Sequence, residues 1–148
     1  MNTFENHKLT TDELMKIITS SREQLNILMD NLKSEQLDME LKDYFNYILT
    51  KKNLTPAQIV KASGLQNAYA YQIISGEKKK PSRNKLLALA FAMKLTLEET
   101  QQMLKVAQLP PLYPRNRHDL VVIYAIKEQY SLIDVNEVLN DLHEELLM

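Results

Sequence analysis

The chain has 148 residues, enough for one domain or for one domain with an arm. Apolar residues make up 45% and charged residues 25% of the sequence, which excludes a disordered tail and a fibrous repeat. Two glycines and no cysteine favour an all-α fold and exclude disulfides, thiolate metal sites and cysteine nucleophiles. The N-terminus has no apolar signal core and no apolar run could span a membrane, so we expect the chain to be cytoplasmic.

Charge is distributed unevenly along the chain. The formal net charge is −1, but residues 51–85 carry +7 and the remainder carries −8. Such an asymmetry indicates an anionic partner for the basic part. The basic residues of this window are Lys51, Lys52, Lys61, Lys78, Lys79, Lys80, Arg83 and Lys85, and its single acid is Glu77.

The segment 1–36 is predicted to be an N-terminal helical arm. Thr10 and Glu13 have the spacing of a capping box, and the helix that follows is expected to run to about Leu32. Its apolar positions include the heptad spacing 18, 25 and 32. The stripe either packs on the rest of the protein or forms a short coiled-coil dimer arm.

The segment 37–109 contains signals for five helices. The clearest start combines Thr55 as N-cap, Pro56 at the first helical position and Gln58 completing a capping box. Gly64 and Gly76 are suited to the left-handed backbone that ends a helix. The predicted ranges are 37–52, 56–63, 66–75, 82–94 and 97–107.

The segment 110–148 is predicted to be a C-terminal helical hairpin. Three prolines between 109 and 114 exclude a helix there, and helical patterns follow at 119–129 and 133–147. Residues 96–104 resemble residues 131–139, thirty-five positions later. This similarity reflects either an old duplication of a helical hairpin or two helices that begin with similar caps.

The segment 55–76 reads as a capped short helix, a glycine turn and a second short helix. This arrangement is typical of a helix-turn-helix. The second helix carries Gln66, Asn67 and Gln72, whose amides can bond adenine in the major groove. Lysines 78–80 and Arg83 follow where the chain would pass the phosphate backbone.

Residues 54–97 resemble the Cro/C1 (lambda-repressor-like) helix-turn-helix family. Gly64 and Gly76 are twelve residues apart, and Pro81-Ser82 follows Gly76 without a gap relative to the family pattern. The run 112–117 is also similar to small uncharacterised regulators of low-GC Gram-positive bacteria. Other matching positions are Leu54, Thr55, Ile59, Val60, Leu65, Ile73, Lys80, Leu86, Leu89, Ala90, Ala92, Met93, Leu95 and Thr96.

The resemblance implies a five-helix lambda-repressor-like domain whose third helix reads DNA. Its base-reading positions fall on Gln66, Asn67, Ala68 and Gln72. The expected phosphate contacts, from the family pattern and from the local basic residues, are Thr55, Tyr71, Ser75, Lys78, Lys79, Lys80, Ser82 and Arg83. Pro56 departs from the family pattern, and the third helix has no Arg or Lys, so a single copy should bind modestly and a homodimer is needed.

The function expected from these residues is sequence-specific DNA binding by a bacterial transcriptional regulator, expected to be a repressor, with double-stranded DNA as partner. The alternative is a protein–protein interaction module that keeps the fold with little DNA affinity. Its partner would meet the acidic C-terminal helix, which is otherwise a solvated face. No catalytic set, metal-ligand spacing or phosphate loop is present, so we expect no enzyme activity, no cofactor and no metal.

Overall fold

The protein is described by a computed structural model that places residues 22, 25, 26 and 39–148. The chain divides into two compact units, Met1–Met39 and Glu40–Met148. Of the four described residues of the first unit, Arg22, Leu25 and Asn26 are helical and Met39 is not. The rest of the predicted N-terminal arm, with its capping box and heptad stripe, lies outside the described residues.

Within residues 39–148 the structure contains seven helices and no strand, so the all-α prediction is confirmed for this part. None of the helices there has the length and apolar character needed to cross a membrane. The helices are α1 (Leu41–Lys52), α2 (Pro56–Ser63), α3 (Asn67–Ser75), α4 (Arg83–Ala92), α5 (Leu97–Val106), α6 (Arg117–Lys127) and α7 (Leu132–Asp141).

Helix starts follow the local capping signals. Thr55 forms the predicted capping box, and Thr96 and Ser131 form further ones at the starts of α5 and α7. Ser82 and Asn116 accept the N–H of the residue three positions on, at the starts of α4 and α6. These side chains satisfy helix N–H groups that have no partner inside the helix.

Three helix pairs share one type of connection. In α1–α2, α4–α5 and α6–α7 the residue three positions before the next helix is left-handed, with φ of 54°, 54° and 57°. The next residue is anchored back to the preceding helix, since its N–H donates to a carbonyl five residues earlier at 2.9–3.0 Å. The third residue caps the next helix. The last three residues of these connections are Asn53-Leu54-Thr55, Lys94-Leu95-Thr96 and Gln129-Tyr130-Ser131.

The similarity between residues 96–104 and residues 131–139 extends well beyond the helix caps. The Gln101 side-chain amide bonds both backbone groups of Leu112, at 2.8 and 3.0 Å. The Asn136 amide does the same to Leu147, at 2.8 and 3.3 Å. Gln101 and Asn136 are thirty-five residues apart, as are Leu112 and Leu147. The two hairpins with their trailing segments therefore form a structural repeat, which favours duplication over coincidental caps.

The predicted continuation of the last helix to 147 is wrong. Helix α7 ends at Asp141, and His143 takes the left-handed conformation with φ of 57°. The Glu144 N–H then closes the helix end on the Leu139 carbonyl at 2.8 Å. Beyond it, Leu147 is buried by a tail that folds back instead of by a helical stripe.

The helices of the second unit share one apolar core. Helix α2 packs on α3 and α4, α1 packs on α3 and α5, and α4 packs on α5. The C-terminal hairpin joins the same core, because α6 packs on α5 and α7 packs on α4. Residues 110–148 therefore belong to the same compact unit as the five helices before them. The core includes Phe45, Ile48, Ile59, Ile73, Leu86, Leu87, Leu89, Met103, Leu104 and Leu139.

Candidate nucleic-acid interface

The α2–α3 connection is short and held by internal hydrogen bonds. Gly64 is left-handed with φ of 68°, a conformation that glycine adopts without a steric penalty. The buried Ser63 hydroxyl donates to the Val60 carbonyl at 2.8 Å and accepts the Leu65 N–H at 3.2 Å. Leu65 is buried, so the turn is anchored on both sides of the glycine.

Helix α3 buries one side and exposes the side that the sequence predicts to read DNA. Ala70, Ile73 and Ile74 are buried, which explains the small residue at 70. Along the exposed side, Asn67, Tyr71 and Ser75 recur at four-residue spacing, so they lie on one face. Ala68 is exposed and Gln72 is partly exposed on the adjacent row.

Gln66 differs from its predicted role. Its side-chain oxygen Oε1 accepts the Tyr69 N–H at 2.9 Å, so Gln66 is the N-cap of α3. A two-bond contact to adenine uses the amide oxygen as acceptor and the amide nitrogen as donor. The oxygen of Gln66 is already engaged, whereas the amides of Asn67 and Gln72 make no side-chain hydrogen bond within residues 39–148.

The three hydroxyl residues predicted to contact phosphate differ in what their protons can do. The Thr55 and Ser82 oxygens accept helix N–H groups, at 3.3 Å each, which leaves their hydroxyl protons free to donate. The Ser75 hydroxyl instead donates to the Gln72 carbonyl at 3.3 Å. Thr55 and Ser82 therefore fit a phosphate contact better than Ser75.

Lys78, Lys79 and Lys80 are exposed in the loop between α3 and α4. None of them forms an ion pair with a described acidic residue. Two residues beside them, Tyr69 and Lys85, are not among the predicted phosphate contacts. The ammonium groups of Lys78 and Lys85 lie 5.4 and 5.1 Å from the centre of the Tyr69 ring. The position of Lys85 in the basic window was the available signal.

Arg83, predicted to contact phosphate, donates its side-chain hydrogen bonds to acceptors within the protein. Its Nη1 and Nη2 donate to Asp119 at 2.7 and 3.0 Å, and it also donates to the carbonyls of Pro110 and Pro111. Burial raises the pKa of the Asp119 carboxyl, but hydrogen bonds from Arg83 and from the Tyr113 N–H outweigh burial and lower it. The local sequence around Arg83 contains no sign of this distant carboxylate.

Lys51 and Lys52 are also withdrawn from the basic surface. Their ammonium groups pair with the buried Glu99 carboxylate at 3.1 and 3.0 Å. Burial raises the pKa of Glu99, but the Thr96 N–H and the two lysines outweigh it and lower the pKa overall. The Tyr44 hydroxyl donates to the Glu99 carbonyl at 2.7 Å, and burial raises the pKa of that hydroxyl.

The remaining basic surface is smaller and better defined than the charge of the window suggests. Three of its eight basic residues neutralise carboxylates on other helices. The five that remain make no ion pair with a described residue, and they follow α3 or lie on the neighbouring α2 and α4. Lys78 and Lys85 both lie over the Tyr69 ring, Lys79 and Lys80 follow Lys78 in the loop, and we call these four residues the lysine surface.

Acidic side chains dominate the exposed part of α7. Asp134, Glu137 and Asp141 are exposed, and Glu144 in the tail pairs with Arg117 at 3.0 Å. Among the described residues no group of three potential ligands could hold a metal ion. Comparison of the chain with family models, with curated proteins and with solved structures finds no match.

Proposed function

We propose that this protein is a DNA-binding transcriptional regulator of Cro/C1 type that inserts α3 into the major groove. The observation that carries the proposal is the exposed row on α3 next to the lysine surface. Asn67 and Tyr71 are exposed, and shortly after the helix come lysines that form no ion pair within residues 39–148. Amides supply base recognition and lysines supply phosphate affinity, so the two elements have complementary roles.

The arrangement of helices supports this proposal. Helices α1 to α5 form a five-helix set in which two short helices, α2 and α3, are joined by a three-residue glycine turn. A turn of this length between short helices is typical of helix-turn-helix proteins. In this proposal, helices α6 and α7 are an addition to the five-helix set, and they pack on α5 and α4.

The hydrogen bonds narrow the roles of individual residues. We assign base recognition to Asn67 and Gln72, with the Ala68 methyl available to a thymine methyl. Gln66 contributes mainly as the cap that orients α3. Thr55, Ser82 and Tyr71 are assigned to phosphate oxygens together with Lys78, Lys79 and Lys80, whereas Arg83 and Ser75 are not.

A homodimer follows from the energetics of this surface. Each good two-bond amide contact contributes roughly 1–3 kcal/mol of discrimination. Two or three amides per copy therefore give modest specificity, and two copies on adjacent half-sites would double the number of contacts. Sedimentation of the protein with and without a duplex measures whether two copies bind one site.

The experiment that tests the proposal is fluorescence anisotropy with two labelled duplexes at two salt concentrations. One duplex carries the DNA upstream of the protein's own gene, and the other carries the same bases in scrambled order. We expect tighter binding to the upstream duplex, surviving at the higher salt. Arg115→Ala, an exposed cation outside the lysine surface, is the matched control for Lys79→Ala and Lys80→Ala. Equal binding to both duplexes that vanishes with salt would contradict specific recognition.

The alternative is a protein–protein interaction module, and the exposed acidic row of α7 favours it. Asp134, Glu137 and Asp141 present carboxylates without a described basic partner. Pro56 also removes one amide hydrogen at the start of α2, and α3 has no cationic reader. Absence of binding to either duplex, combined with capture of a basic peptide by α7, would favour this function.

A further inference from the structure

A cleft of about 760 Å³ lies between the α4–α5 and α6–α7 connections. Its volume falls within the range of about 300–1,000 Å³ typical of small-molecule sites. Residues from α2, both hairpins and both connections contribute to the lining, so the cleft follows from the structural repeat. It is separate from the exposed row of α3, since no residue of α3 lines it.

The walls of the cleft are apolar and its charges have one sign. The apolar wall includes Phe91, Leu97, Ile126 and Leu132. The cleft is also lined by two lysines, and no Asp or Glu takes part in the lining. An apolar cavity with a few placed polar groups is the usual form of a ligand site.

The polar groups of the cleft include Lys94, Lys127 and the two cap hydroxyls Thr96 and Ser131. Neither lysine forms an ion pair with a described residue. The hydroxyl oxygens of Thr96 and Ser131 each accept a helix N–H at 3.1 Å. Because this bond uses an oxygen lone pair, the hydroxyl proton stays free to donate to a ligand. All of these groups favour an anionic ligand.

We propose that this cleft binds a small amphipathic anion, an apolar chain that ends in a carboxylate. The chain replaces water against Phe91, Leu97 and Leu132, and the carboxylate lies between Lys94 and Lys127. Burial of the apolar chain supplies affinity in proportion to its area. The lysines select an anion over a neutral or cationic chain of the same length.

Equilibrium dialysis of radiolabelled decanoate against the full chain tests the site, below the concentration at which decanoate forms micelles. We expect saturable binding of one decanoate per chain. Decyltrimethylammonium, which has the same chain and the opposite charge, should not compete. Absence of saturable binding, or equal competition by the cation, would overturn the proposal.

Two sets of variants locate the binding in the cleft. The double substitution Lys94→Gln with Lys127→Gln should weaken decanoate binding by about tenfold or more, because both cations are removed. Arg115→Gln, an exposed cation outside the lining, should leave binding unchanged. Ala62→Phe fills the cleft from the exposed side of α2 and should abolish binding while the thermal unfolding transition is retained. Equal binding by all variants would overturn the assignment. No DNA is present, so these outcomes are independent of the proposed function.

Discussion

Arg83 and Asp119 form a two-pronged ion pair that joins the start of α4 to the start of α6. The two N–O distances are 2.7 and 3.0 Å, and the Asp119 side chain is only 6% exposed. Arg83 also donates to two carbonyls of the proline segment between these helices. One side chain thus holds the C-terminal hairpin against the five-helix set and fixes the path of the proline segment.

Loss of Arg83 should destabilise the second unit without flattening the salt dependence of DNA binding. Arg83→Met leaves the buried Asp119 carboxylate without its cation, and removal of one partner of such a pair costs about 2–4 kcal/mol. Urea unfolding measures this cost. The matched variant Lys80→Met should leave the unfolding midpoint unchanged. An Arg83→Met protein of unchanged stability that binds DNA weakly would restore Arg83 to the phosphate contacts.

Acid should weaken the fold through Asp119 and Glu99. Both carboxyls have a lowered pKa in the folded protein. Their contribution is therefore fully present above their ordinary pKa values in the unfolded chain, which are about 4, and is lost as the pH falls through the lower folded values. Urea midpoints measured between pH 7 and pH 3 should fall most steeply below about pH 4. Glu99→Gln should make this acid dependence shallower, and an equally steep fall in that variant would contradict the assignment.

Gln66 and Asn67 should respond differently to substitution although they are neighbours. Gln66→Ser keeps a side-chain oxygen at the N-cap, so both stability and base preference should be retained. Asn67→Ala should lose roughly 1–3 kcal/mol of discrimination at one base pair. Binding to a panel of single-base operator variants separates the two effects. Loss of preference in Gln66→Ser would return Gln66 to the base-reading set.

Of the two lysine pairs in the basic window, only Lys79 with Lys80 should affect the salt dependence of DNA binding. Lys79→Ala with Lys80→Ala should reduce the slope of log affinity against log salt by about 0.9 for each phosphate that the protein no longer neutralises. Lys51→Ala with Lys52→Ala removes the same amount of charge, but these two lysines are the ion-pair partners of Glu99. This double substitution should therefore lower stability and leave the slope of log affinity against log salt nearly unchanged. Equal slopes in both double variants would mean that net charge, and not the lysine surface, governs binding.

Helix starts and turns could be predicted because their causes are local. Thr55 and Gln58, like Thr96 and Glu99, cap a helix across three residues of sequence. Gly64 and Gly76 end helices through their own backbone conformation. The exposed face of α3 was also predictable, since apolar residues at 70, 73 and 74 mark the opposite side. The base-reading and phosphate-contacting roles of these residues stay predictions.

The ion-pair partners of the charged side chains could not be predicted from local sequence. Arg83 pairs with a carboxylate thirty-six residues away, and Lys51 with one forty-eight residues away. The tail after α7 likewise folds back, so that the Leu147 N–H meets the Asn136 side chain eleven residues away. In the sequence, Lys51 and Arg83 belong to the same basic window, residues 51–85, as Lys79. Charge along the chain therefore does not separate the paired cations from Lys79.

The sequence by itself determined the helical class, the capped helix starts and the position of the amide-bearing face, because each depends on residues within one or two helical turns. The tertiary structure decided which cations remain available, where the last helix ends and that two repeated hairpins enclose a cleft. These features arise from groups that meet only after the helices pack, when buried carboxylates must find partners and apolar side chains leave water.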